Sequence, residues 1–282
     1  MAELDRQTAQ LPAVQHLVVR YAKRGKMRFA SHRDVARAFE RGVRRAGLPI
    51  AYSAGFTPHP KISYAGGAPT GVASEAEYLS LALTSRQAAT HVGQRLNAAL
   101  PDGIEVIDVI DKGGLGGDLP PDKAGEGPKG SPVGSPTRDH TTFGHLEASQ
   151  WRVVLPGVAP AAAQQAAAGF LALGQAPVER LTDKGIRRLD ARAAVVMLDV
   201  LDEHDITADP DGGPMIQQGA AATGLDDCAI LRMVVLNTAP AVRPDDVLTA
   251  LRDRYGLVPS SPPVITRLAQ GSLALLAGAN VS

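Results

Sequence analysis

The sequence predicts an α+β chain made of two small domains with the same plan, and three observations predict it. Strand, helix, strand, strand, helix, strand follow one another over residues 15–111 and again over 150–273. A stretch dense in Gly, Pro and Ser, residues 112–149, lies between the two runs. A length of 282 residues also favours two modest cores over one large one. The β-α-β-β-α-β order belongs to the ferredoxin-like sandwich, in which two helices cover one face of an antiparallel sheet. Two tandem ferredoxin-like (βαββαβ) domains joined by a flexible Gly/Pro-rich linker are therefore expected. Residues 1–14 and 274–282 are expected as tails.

Each element has its local reason. HLVVRYA (16–22) is rich in β-branched and apolar residues and reads as a strand. KRGKMRF is a basic turn. Ser31 offers a helix N-cap with Asp34 three positions on as capping-box partner, and Gly47 stops the helix that follows. LPIAYS (48–53) reads as a second short strand, and GFTPHPKISYAGGAPTG as an extended segment too rich in proline for a helix. AEYLSLAL (76–83) alternates like a half-buried strand, Arg86 to Ala99 is a helix, and IEVIDVI (104–110) is a strand. Residues 112–149 lack the large apolar side chains that would offset their ordering entropy, hence the linker.

In the second half WRVVLPG (151–157) is a strand, and Pro160 suits the first turn of an Ala-rich helix reaching Leu173. PVERLT reads as a strand or an extended link, and 186–201 as a strand pair or one long strand. Residues 203–227 form a polar loop. CAILRMVVL (228–236) is a buried strand, Arg243 to Tyr255 a helix ended by Gly256, and VITRLAQGSL (264–273) the last strand.

The charges are segregated although they sum to zero. Between His16 and Ala65 stand eleven basic residues and two acidic ones, Asp34 and Glu40, a local excess of +9 that draws in polyanions. The helix from Ser31 to Ala46 concentrates it. At 100° per residue, Arg44, Arg37, Arg41 and Arg45 fall within an arc of about 120° starting at Arg33. Val35, Ala36, Phe39, Val43 and Ala46 occupy the opposite side. The apolar side belongs on the sheet, so the arginines face outward, and guanidinium groups suit bidentate contact with phosphate. A solvated face normally mixes both signs, and five arginines diluted only by Asp34 and Glu40 are less balanced than that. Arg28, Arg33, Arg37, Arg41, Arg44, Arg45 and Lys61 are thus expected to bind an anion, with RNA the first candidate, an acidic protein the second and a membrane surface the third.

Several classes are set aside. No apolar run approaches the roughly 20 residues of a membrane span. The N-terminus lacks the pattern of a signal peptide. Cys228 is the one cysteine, so neither a disulfide framework nor a cysteine-ligated cluster is expected, and Cys228 itself reads as a core thiol. A cytoplasmic protein without a cofactor and without a membrane partner is expected.

A longer pattern overlies these features. Ser31, His32 and Asp34 precede the arginine-rich helix. Ser53, Gly55, Phe56, Pro58, His59, Pro60 and Ile62 follow it, and Gly71, Ser74, Glu77 and Tyr78 open the next strand. Over about 16–110 this resembles the bacterial radical-SAM-linked protein family, a domain of unknown function. The second half is similar more loosely, around Arg267. The resemblance implies a domain encoded beside or fused to a radical SAM enzyme, associated in actinobacterial relatives with a ribonuclease E/G-type partner. The chain carries no three-cysteine motif of its own.

Three functional readings follow. The first is a non-catalytic RNA-binding or substrate-presenting accessory protein. The second is a metal-independent endoribonuclease with His32 and His59 as acid and base, which requires the loop shaped by Ser53, Gly55, Phe56, Pro58 and Pro60 to bring the two imidazoles together. Glu77 and Tyr78 are further candidates, although Tyr78 is expected to pack on the sheet. A divalent metal held by His32, Asp34 and His59 is a variant of this reading. The third is a module that docks an acidic protein partner.

Overall fold

A computed structural model describes residues 11–54, 56–114, 143, 146–182, 185–201 and 228–278. Most of the expected linker, the polar loop of 203–227 and Gly55 lie outside the described residues. The fold is α+β, with antiparallel sheet as its core and helices packed on it. The chain divides into two compact units, residues 1–144 and 145–282.

In the first unit the strands are β1 (Gln15–Lys23), β2 (Ile62–Tyr64), β3 (Ala73–Leu83) and β4 (Ile104–Asp111). The helices are α1 (His32–Arg45) and α2 (Ala89–Asn97). The sheet order is β4-β1-β3-β2, with every neighbouring pair antiparallel. Strand parity explains the burial. Gln15, Leu17, Val19 and Tyr21 share one face of β1, and the matching positions Leu83, Leu81, Leu79 and Glu77 share it on β3. Onto that face α1 and α2 lay Val35, Phe39, Val43, Val92 and Leu96, all at most 4% exposed. Phe39 is the centre. Its ring meets Tyr21 edge-on at 4.7 Å and Tyr64 at 6.4 Å, and it has no exposed surface.

The second short strand corrects the sequence expectation. LPIAYS carries only isolated bridges, Ile50 with Leu83 and Tyr52 with Pro60. The strand β2 is instead Ile62–Tyr64, inside the segment expected to be extended. The physical reason is that Pro58 and Pro60 cannot donate to a ladder, so pairing with β3 starts only past them. Between Arg24 and Ala30 the basic turn forms a 3₁₀ helix at Gly25–Phe29.

The second unit holds β5 (Ala148–Pro156), α3 (Pro160–Leu171), β6 (Pro177–Thr182), β7 (Gly185–Asp190), α4 (Ala191–Ala194), β8 (Val195–Val200), β9 (Cys228–Leu236), α5 (Pro244–Tyr255), β10 (Val264–Gly271) and α6 (Leu273–Gly278). Its main sheet runs β10-β5-β9-β8, again antiparallel throughout. Strands β6 and β7 form a separate hairpin. The stretch 186–201 is therefore neither one long strand nor a simple pair. Asp190 accepts a hydrogen bond from the Arg192 N–H at 3.0 Å and turns the chain through α4 before β8 begins. Two boundaries also move. The strand expected from 151 starts at Ala148, inside the expected linker, and the expected tail at 274–282 opens with α6, whose Leu276 packs on Ala148 and Val234.

No helix among the described residues is long and apolar enough to cross a membrane.

Candidate functional site

The site is built on α1. Its start is fixed by the capping box that the sequence predicts. The Asp34 N–H donates to Ser31 Oγ at 3.2 Å, and Asp34 Oδ2 accepts from the Ser31 hydroxyl at 2.6 Å and the Ser31 N–H at 3.3 Å. The Ser31 hydroxyl is the main reason the Asp34 carboxyl is held below its ordinary value of 3.8, with the Ser31 N–H next and Arg37 and Arg41 adding to it. A depressed acid stabilises the fold above its unfolded pKa and loses that contribution as pH falls through the folded one. Ser31→Ala is therefore expected to lower the thermal midpoint near neutral pH, with the gap from the parent narrowing as pH drops below 3.8. Thermal melts on both sides of that value check it.

Once started, α1 buries Val35, Ala38, Phe39, Gly42 and Val43. Arg33, Arg37, Arg41, Arg44 and Arg45 are all exposed, as the periodicity requires. The buried arc is turned toward Ala38 and Gly42, leaving Ala36 at its margin. This places Arg45 at the edge of the stripe, where its guanidinium donates to the Ala99 carbonyl at 2.8 Å. Arg45 ties α1 to the end of α2 as well as adding charge. Arg37 has one weak ion pair, with Asp34 at 4.0 Å.

The eleven basic residues are not equivalent. Arg24 is neutralised by Glu75 and Glu105. Arg20 donates to the Glu75 carbonyl at 3.0 Å. Lys23 is 3% exposed, and its ammonium donates to the Ala68 and Pro69 carbonyls. Arg28 is half-buried and stands 4.8 Å over the Phe29 ring. The outward charge is thus carried by Arg33, Arg37, Arg41 and Arg44, with Lys26 exposed on the 3₁₀ turn and Lys61 exposed on the segment that returns to β2.

His32 opens α1 beside the segment 65–71, and His59 lies on the loop that follows α1 in the chain. A β-carbon added at Gly67 would stand 3.2 Å from His32 Nδ1 and 3.6 Å from Glu77 Oε2. His32 meets the Tyr64 ring edge-on at 5.3 Å, so Tyr21, Phe39, Tyr64 and His32 form one aromatic run from core to surface. Burial pushes the Tyr64 hydroxyl pKa far up, with Glu40 adding to it, and the hydroxyl donates to the Ala36 carbonyl at 3.4 Å. Glu77 is 4% exposed, and Oε2 accepts from the Ala68 N–H at 3.2 Å. Glu77 and Lys23 thus brace the same segment beneath His32. Tyr78 has the opposite parity on β3 and faces away from this cluster.

The chain leaves α1 to pair Ile50 with Leu83, and the Ala51 N–H donates to the Ala82 carbonyl at 2.7 Å. It then makes the loop that carries His59 and returns through Lys61. The base of this loop is fastened at the Ala82–Leu83 end of β3, whereas Gly67, next to His32 Nδ1, stands beside Glu77. Among the described residues no hydrogen bond or ring contact joins His32 to His59, and His32, Asp34 and His59 are not grouped as a metal site. The Ala82 N–H donates to the Lys61 carbonyl and the Ala65 N–H to the Tyr78 carbonyl, so β2 carries the chain along β3 from Ala82 toward Tyr78. Among the described residues no group of three or more His, Cys, Asp or Glu side chains is placed to hold a metal ion.

The loop itself is tied at its base. Ser53 N–H donates to the His59 carbonyl at 2.9 Å, and His59 N–H donates to Ser53 Oγ at 3.0 Å. Pro58 is exposed, and Pro60 bridges Tyr52. Phe56, expected to shape the loop, packs on nothing and is fully exposed.

Lys23, Tyr64 and Gly67 escape sequence reasoning about this site. Parity supplies a signal for the burial around them. Glu77 shares the face of Leu79, Leu81 and Leu83, and a carboxylate on a buried face needs donors.

Residues 16–113 match the model of a family described as an uncharacterized protein conserved in bacteria (DUF2344). The match covers the first unit from β1 to the turn after β4. No curated protein matches the chain.

Proposed function

We propose that this chain binds RNA along the outward face of α1 and serves as a non-catalytic accessory protein that presents RNA to a partner enzyme. The observation that carries the reading is the row Arg33, Arg37, Arg41 and Arg44, exposed along one side of a helix whose other side is locked into the core. An unbalanced cationic row of exposed guanidinium groups is suited to successive phosphates. The partner class comes from the resemblance of 16–110 to the radical-SAM-linked family: a radical SAM enzyme, or a ribonuclease E/G-type protein, in the cytoplasm. The strand order in each unit, last-first-third-second, supports reading both as ferredoxin-like domains, the second with the β6–β7 hairpin inserted.

The test is retention of RNA by the purified full chain. Single-stranded RNA should be held at low salt and released at high salt. A chain that holds no RNA at low salt, but captures an acidic polypeptide, would replace this reading with docking of a protein.

A further inference from the structure

Phe56 has no structural use in the fold. It is fully exposed, more so than any other large apolar side chain among the described residues. A ring held wholly in water lacks the burial that makes a phenylalanine favourable in a fold. The loop that holds it is nevertheless built. The reciprocal Ser53–His59 hydrogen bonds and the Tyr52–Pro60 bridge close its base. The Lys61 N–H donates to the Ala51 carbonyl at 2.7 Å and the Ala82 N–H to the Lys61 carbonyl at 3.2 Å, which fastens that base to β3.

The loop's position gives the ring a context. It leaves the sheet at the end where α1 finishes, and α1 finishes with Arg44 and Arg45. His59 and Lys61 are exposed on the same loop. An exposed ring, an imidazole and a lysine are therefore carried on a loop whose base is fastened to β3 by the stretch that directly follows the arginine row. Stacking of unpaired bases on aromatic rings, with cations tracking the backbone, is how single strands are held without reading their sequence. A duplex keeps its bases stacked on each other and offers such a ring nothing.

We infer that Phe56 is a stacking platform for an unpaired base, so that the RNA bound along α1 is single-stranded at the Arg44 end of the helix. The inference rests on the proposed RNA reading and sharpens it by naming the substrate class. Charge complementarity selects RNA as the occupant, because the loop that bears the ring also bears the exposed His59 and Lys61 and follows the arginine helix in the chain.

The experiment compares the full chain with Phe56→Ala, Phe56→Trp and Arg37→Glu/Arg41→Glu. Each is titrated with a fluorescent single-stranded RNA and with the same RNA annealed into a duplex. Phe56→Ala should weaken single-strand binding about tenfold and leave duplex binding and the salt dependence unchanged. Phe56→Trp should restore affinity, and its added indole emission should be quenched by the single strand and not by the duplex. If Phe56→Ala binds the single strand as tightly as the parent while the double glutamate variant loses it, the stacking inference fails and the RNA reading stands. If neither the parent nor any variant binds RNA, both fail.

Discussion

Replacing Arg37 and Arg41 together by glutamate is expected to weaken RNA binding about a hundredfold or more at moderate salt. Each arginine contributes a charge-assisted contact of about 1.5–3 kcal/mol when it meets a phosphate, and each glutamate adds repulsion where attraction stood. The fold should tolerate the change. Both side chains are exposed, Arg37 has only its long contact with Asp34, and glutamate forms helix about as well as arginine. Like charges already stand one turn apart at these two positions, so exchanging both signs alters that repulsion by no more than about 0.5 kcal/mol. Arg187→Glu/Arg254→Glu makes a useful control. Both arginines are exposed in the second unit, and the change in net charge is the same. If both double variants lose affinity equally, binding follows total charge and the α1 face has no special part. Loss confined to the α1 variant locates the interface.

Phe39→Ala is expected to have the largest effect on stability, about 3–5 kcal/mol. The ring has no exposed surface and contacts Tyr21 and Tyr64, so its removal leaves a cavity that two aromatic neighbours cannot easily refill. A loss of that size is a large part of what a small domain has. Urea unfolding followed by far-ultraviolet circular dichroism should show the midpoint moving down. The same variant should disturb RNA binding, because Phe39 holds α1 on the sheet. Phe39→Leu, which keeps more of the buried volume, should recover much of both. A Phe39→Ala chain with an unchanged midpoint would mean that α1 is anchored elsewhere and that its outward orientation has another cause.

The arginine row was legible from the chain because one periodicity settles it. Val35, Phe39 and Val43 demand the core, and Arg33, Arg37, Arg41 and Arg44 are then outward by geometry. The capping box was legible for the same reason, as Ser31 and Asp34 stand at the spacing that lets each side chain reach the other's backbone N–H. What depends on pairing partners was not. LPIAYS has strand composition yet makes only isolated bridges, whereas Ile62–Tyr64 pairs with β3 in spite of the prolines before it. That shift of the second strand decides where the loop carrying His59 is fastened to β3. Where His32 and His59 stand along β3 therefore could not be read from their spacing along the chain. Lys23 and Arg24 counted as cationic field in the sequence, while the fold commits one to the Ala68 and Pro69 carbonyls and the other to Glu75 and Glu105. In the second half, the break at Ala191–Ala194 depends on the Asp190 side chain capping a single turn, a signal too short for periodicity to carry.

The central claim, that phosphates lie along the outward face of α1, is tested most directly by the salt dependence of RNA affinity. Log affinity against log salt for a single strand should fall with a slope of about −0.7 for each phosphate neutralised, so the cations Arg33, Arg37, Arg41, Arg44 and Lys61 predict a slope of about −3.5. Arg37→Ala/Arg41→Ala should make that slope shallower by about 1.4 and should weaken binding to different sequences alike. A slope near zero, or one that the two substitutions leave unchanged, would contradict the account.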